Sequence, residues 1–97
     1  MTKTASTVNT VEKEAIEKLH FPAQDVLLLR EQVEERRSEI EKAMRLGNMF
    51  KGKVKIVFED SEGLKMVEAT IWSLADKNVV LKNGILLPIH RVHSIGL

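Results

Sequence analysis

Lys53-Val-Lys-Ile-Val-Phe58-Glu59-Asp60-Ser61-Glu62-Gly63, the run from Leu64 to Asp76, Val79-Val-Leu81, Asn83-Gly84 and Ile85-Leu-Leu87 together decide the fold. In the first of these, Val54, Ile56 and Phe58 alternate with Lys53, Lys55 and Glu59, the period-two pattern of a strand with one buried and one wet face. Asp60-Ser61-Glu62-Gly63 supplies turn chemistry. The following run, Leu64 to Leu74, is long for a strand and uniformly apolar on neither face, which predicts a strand that bends and serves two sheets with its two halves. Ala75-Asp76-Lys77-Asn78 is the next turn, and Asn83-Gly84 folds Val79–Leu81 back onto Ile85–Leu87 as a hairpin, with positive φ expected at Gly84. Pro88 cannot donate to a ladder and marks an edge or bend. Val92 and Ile95, three residues apart, suggest one tight turn before a last short strand.

Upstream, the periodicity changes. Val8, Val11, Ala15, Ile16 and Leu19 recur at helical spacing, with Asn9 and Glu12 as a cap pair, so a first helix is expected over Val8 to Leu19. His20-Phe21-Pro22 breaks it. A second helix is expected from Ala23 to Leu46, stopped by Gly47-Asn48. Its heptad seam reads Val26, Leu29, Val33, Arg36, Ile40 and Ala43, and Arg36 spoils it as a coiled coil. The charges around that seam, Glu34, Glu35, Glu39 and Glu41 with Arg36, Arg37, Lys42 and Arg45, pair at three- and four-residue spacing, the pattern of a solvated face. Residues 1–7, rich in Thr and Ser, read as a disordered tip. The expected organisation is therefore the tip 1–7, a helical segment 8–46 broken at Pro22, and a small β-domain 47–97.

Composition narrows the function class. With 97 residues and 43% hydrophobic content, the chain has room for one modest core. The absence of cysteine removes disulfides, thiolate metal sites and cysteine nucleophiles, and suits a cytoplasmic setting. No apolar run approaches the ~20 residues of a membrane span. Fifteen basic against fourteen acidic residues leave +1, too balanced to announce nucleic acid through bulk charge, so any basic site must be local.

A helix leading into five short, strongly bent strands resembles the Sm-like small barrel, over Val33 to Ile95. Sm-like proteins carry an Asp and an Asn around the turn between the second and third strands, which here fall on Asp76 and Asn78. They also carry an Arg-Gly or Lys-His type signature between the fourth and fifth, where this chain has His90-Arg91-Val92-His93. The Asp76–Asn78 spacing is tighter than the family's, Ala69 stands where a second-strand glycine is expected, and no glycine follows Arg91. The resemblance implies an α+β fold: N-terminal helices followed by a small five-stranded antiparallel Sm-like β-barrel.

Lys53, Lys55, Trp72, Lys82, His90, Arg91 and His93 form the candidate nucleic-acid or partner surface, since basic groups around a tryptophan are the minimum kit for single strands. The bland alternative is that alternating lysines on an outer strand keep a sheet edge from pairing with strangers, and that Trp72 packs beneath the helices. His90 and His93 are two histidines where zinc needs at least three protein ligands, so no metal is expected. No cofactor, small-molecule substrate or membrane is implied, and no glycine-rich phosphate loop or nucleophile turn points to an enzyme. The expected function is a non-enzymatic interaction or oligomerisation module, self-associating or binding another protein. An RNA- or DNA-binding module using the local basic face is the runner-up.

Overall fold

Val54, Ile56, Phe58 and Asp60 are buried while the residues between them are exposed or half-buried, so the period-two pattern does form a strand with its apolar side inward. The computed structural model describes residues 8–50 and 52–96; the expected tip at 1–7 lies outside them. In chain order the elements are β1 (Asn9–Thr10), a 3-10 helix (Lys13–Lys18), α1 (Arg30–Phe50), β2 (Val54–Asp60), β3 (Gly63–Ala69), β4 (Ile71–Leu74), β5 (Asn78–Leu81), β6 (Ile85–Pro88) and β7 (Val92–Gly96). Single 3-10 turns at Lys82–Gly84 and Ile89–Arg91 link β5 to β6 and β6 to β7.

These strands form two sheets, one ordered β1-β3-β2-β7 and one ordered β4-β5-β6. The long run from Leu64 breaks at Thr70, placing β3 in the first sheet and β4 in the second. This corrects the expectation of a five-stranded antiparallel Sm-like barrel: among the described residues there are seven strands in two separate sheets and no closed barrel. The long helix is also not N-terminal to the strands, because β1 precedes α1 and pairs parallel with β3 (Asn9 with Lys65, Thr10 with Met66). The edge of β3 has captured backbone that the apolar spacing read as helix: Val11 N–H donates to the Met66 carbonyl at 2.8 Å. Only Lys13–Lys18 coils, as a 3-10 helix that sends Ile16 into the core.

The second expected helix is displaced rather than absent. It starts at Arg30 instead of Ala23 and runs through Gly47-Asn48 to Phe50. Because the helix continues through Gly47-Asn48, the expected stop does not form there. Val33, Arg36, Ile40 and Ala43 make its inward stripe, packed on β4 and β7. That stripe is the last four positions of the heptad seam, packed within the chain, whereas Val26 and Leu29 precede the helix and Leu29 is exposed. Its outward residues, including Glu31, Gln32, Glu34, Glu35, Arg37, Ser38 and Lys42, are exposed and polar. The core between the sheets is filled by Ile56, Phe58, Val67, Ile71, Val79, Leu81, Leu87 and Val92, all with 1% exposure or less, capped by Ile16 and Ile40. Asn83 and Gly84 both take positive φ, 71° and 79°, the conformation the Asn-Gly hairpin requires.

Candidate interaction surface

The segment between the first 3-10 helix and α1, residues 19–29, is a strap tied across one end of the sheets. His20 accepts from Ser61 N–H (2.9 Å), and Val26 N–H donates to the His90 carbonyl (3.0 Å). Three of the sequence candidates are engaged in the same end of the molecule. The His90 ring Nε2 donates to the Pro22 carbonyl at 2.9 Å, which places its proton on that nitrogen. Arg91 is buried; its Nε donates to the Glu59 carbonyl (2.9 Å) and its Nη1 to the Gln24 carbonyl (2.6 Å). His93 Nε2 lies 2.8 Å from Glu59 Oε1. A cation bonded to two backbone carbonyls and out of water is a structural strut, not a phosphate contact.

The centre of the clamp was missed from the sequence. Arg36, 4% exposed, grips Asp25 end-on, Nη1 to Oδ1 and Nη2 to Oδ2, both at 2.8 Å, and Nη1 also reaches the Val92 carbonyl at 3.1 Å. Its Nε is buried without a partner. Asp25 also accepts from Leu27 N–H at 2.8 Å, which bends the chain just before the helix and explains the late start at Arg30. The Arg36 guanidinium holds the Asp25 carboxyl below the usual aspartate range. At the C-terminal end of β2, Asp60 Oδ1 accepts from Lys65 Nζ (3.0 Å) and from the amides of Glu62 and Gly63. Burial pushes the Asp60 carboxyl up, but the ammonium and the two amides together more than reverse that, leaving it below its ordinary value. Among the described residues the four buried charged ones, Arg36, Asp60, Lys65 and Arg91, are thus all engaged in holding backbone or one another.

Lys53, Lys55, Trp72 and Lys82 remain, all exposed. Lys55 faces Glu68 across the β2–β3 ladder, so its charge is locally balanced. The bend at Thr70 is tied on both sides by backbone: Thr70 Oγ1 donates to the carbonyl of Gly52, which precedes Lys53 (3.1 Å), and Lys82 N–H donates to the Thr70 carbonyl (2.9 Å). Trp72 is not beneath the helices as expected; it is 48% exposed. Strand alternation turns it outward, since its neighbour Ile71 is buried, and a bulge leaves Ser73 exposed beside it. Ile71 pairs with Leu81 and Ser73 with Val80, so Trp72 is the extra residue that shares with Ser73 the place opposite Val80, turned away from the core that Ile71 enters. Val80 in turn pairs directly with Leu86, which is 50% exposed. Trp72, Val80 and Leu86 therefore form an apolar row across the outer face of all three strands of the second sheet.

Asp76 and Asn78 line, with His90, Arg36, Arg37 and Lys77, an open cleft of about 630 Å³ beside the strap. Its charges nearly cancel, since Arg36 is paired to Asp25, Arg37 to Glu41 at 3.5 Å, and Lys77 sits next to Asp76. Among the described residues no group of three or more His, Asp or Glu is placed to hold a metal ion, and no helix is long and apolar enough to cross a membrane. Comparison with protein-family models, with curated proteins and with solved structures finds no match to this chain.

Proposed function

We propose that this protein is a non-enzymatic interaction module that self-associates through the outer face of its β4-β5-β6 sheet. The observation that carries this reading is the row Trp72, Val80 and Leu86, apolar and partly or half exposed on three adjacent strands. Large apolar side chains gathered on one face mark an association surface more often than scattered ones do. The helix is no rival for the contact, because its apolar stripe is already buried against β4 and β7. The lack of cysteine supports a cytoplasmic setting. Light scattering across a concentration series tests the reading: Trp72→Ala and Leu86→Ala each lower the associated fraction while leaving the melt nearly unchanged. A wild-type chain of monomer mass at every concentration overturns it.

One observation favours the runner-up, single-stranded RNA or DNA on the same face: Thr70, one residue from the strand that bears Trp72, is bonded by the backbone of Lys82 and of Gly52, the neighbour of Lys53. Stacking on a tryptophan between two cations is how sequence-tolerant single-strand binding works. Anisotropy with a mixed single-stranded RNA separates the readings. Phosphate-driven binding weakens steeply with salt, whereas an apolar contact between copies hardly moves.

A further inference from the structure

Residues 8–26 form an arm whose anchoring partners all lie beyond the corner that joins it to α1. β1 pairs with Lys65 and Met66 of β3, Val11 N–H donates to the Met66 carbonyl, and Ile16 is buried in the core at 1% exposure. Phe21 meets Phe58 with ring centroids 6.0 Å apart. The carbonyls of His20, Pro22 and Gln24 accept from Ser61, His90 and Arg91, Val26 N–H donates to the His90 carbonyl, and Asp25 grips Arg36. The corner, Leu27–Leu29, is held differently. Its hydrogen bonds among the described residues are local, Leu27 N–H to Asp25 Oδ1 and Val33 N–H to the Leu29 carbonyl, and Leu28 is 91% exposed and Leu29 57%. Leucine is a strong helix former, and the sequence pattern carries the helix through all three. They stay out of α1, in water, because the arm turns back to sit on its own chain.

We propose that the arm is exchanged between two copies of this chain, with Leu27–Leu29 as the hinge. Prolonging α1 through the three leucines lengthens it by about 4.5 Å. The arm then leaves along the helix axis instead of turning back, and the seat it fills is the identical one on a second copy. Each anchoring contact is remade between chains: Asp25 of one copy grips Arg36 of the other, and β1 of one pairs with β3 of the other. Such exchange is reciprocal and closes at a two-fold dimer. The arm contacts are the same in both forms, so the balance is set by concentration and by the hinge. Helix formation at the leucines, and the meeting of two hinges that cross through one gap, favour exchange; the entropy of association opposes it. This dimer does not use the outer face of the β4-β5-β6 sheet, so it goes beyond the association proposed above.

A chain without cysteine makes the test direct. Thr10 and Met66 are register partners, so Thr10→Cys/Met66→Cys places two thiols on adjacent strands, within disulfide reach. The variant is refolded from urea over a range of protein concentrations, oxidised and run on a non-reducing denaturing gel. Exchange gives a band at twice the chain mass whose share rises with the refolding concentration, whereas an arm seated on its own chain gives a single-chain band. Deleting Leu28 and Leu29 leaves too little chain to turn back and moves nearly all of the protein into the dimer band; inserting Gly-Ser-Gly-Ser-Gly between them relaxes the corner and keeps it in the single-chain band. Where the shortened chain fails to fold, the concentration series on the intact hinge decides. Adding Trp72→Ala/Leu86→Ala leaves the bands unchanged. Single-chain bands at every concentration overturn the inference, as does a ladder above the dimer, which is unspecific pairing. Association by light scattering with single-chain bands alone overturns it while leaving the sheet face as the association surface.

Discussion

Replacing Asp25 with alanine removes the only carboxylate among the described residues that grips Arg36, and the geometry sets the size of the effect. Both guanidinium ends bond Asp25 at 2.8 Å, and the Arg36 side chain is only 3% exposed, so the variant leaves a cation out of water with one carbonyl, that of Val92, for a partner. Breaking a fully buried pair from one side costs about 3–5 kcal/mol. The Asp25 side chain is 33% exposed, so water reaches that side of the pair and the expectation falls to about 2–3 kcal/mol, plus part of a further ~1 kcal/mol for the lost Leu27 turn bond. For a chain of this size, that is a fall in Tm of roughly 10–20 °C. The reverse substitution behaves differently. Arg36→Leu removes the buried charge together with its unpartnered Nε and completes the apolar stripe of Val33, Ile40 and Ala43, while Asp25 can rehydrate. It costs only about 0–2 kcal/mol, mainly the Val92 bond and the strap tether. Urea unfolding of the two single variants and the double variant decides the matter. The double variant should match Arg36→Leu, and an Asp25→Ala protein as stable as wild type, or less damaged than Arg36→Leu, refutes the account of the clamp.

Leu81 and Ile56 are both fully buried, and truncating either to alanine costs ~2–5 kcal/mol by denaturant titration. Gly84→Val forces a β-branched residue to a φ of 79° and destabilises the hairpin by about 1–3 kcal/mol, whereas Gly84→Asn retains most of the stability in a thermal melt. Acid should unfold the protein from below the ordinary aspartate pKa near ~3.9. Asp25 and Asp60 are both lowered in the folded state, so their contribution is complete above the unfolded value and is lost as pH falls toward their folded values. Circular dichroism against pH should show Asp60→Asn less stable at neutral pH but with a shallower acid transition; an unchanged acid profile sets the Asp60–Lys65 pair aside as its cause.

Much of the β-domain was legible because its signals are local. Val54, Ile56 and Phe58 show the period-two alternation, Asn83-Gly84 brings its own backbone preference, and the length and mixed faces of Leu64 to Leu74 announce a strand that must bend. Those features need no distant partner, and the structure carries each of them as read. The exposure of Lys53 and Lys55 follows from the same alternation.

What tertiary structure decided is everything that depends on a group far away in sequence. Helical spacing over Val8 to Leu19 yields to a free edge on β3, because a strand's unpaired carbonyl at Met66 satisfies backbone that a marginal helix would have satisfied locally. Arg36 reads as a flaw in an apolar seam until Asp25, eleven residues earlier, and the Val92 carbonyl, fifty-six later, are brought to it. His90 and Arg91 read as part of a candidate nucleic-acid or partner surface until the strap carbonyls of Pro22 and Gln24 are laid against them. Trp72 and Ser73 are both turned outward because a one-residue bulge that no composition announces interrupts the alternation after Ile71. Periodicity records which side chains prefer to be dry, and it determined the strands and the stripe on α1. Which polar groups meet, and so which residues of the candidate surface remain free to touch a partner, was settled only when the folded chain placed donors beside acceptors.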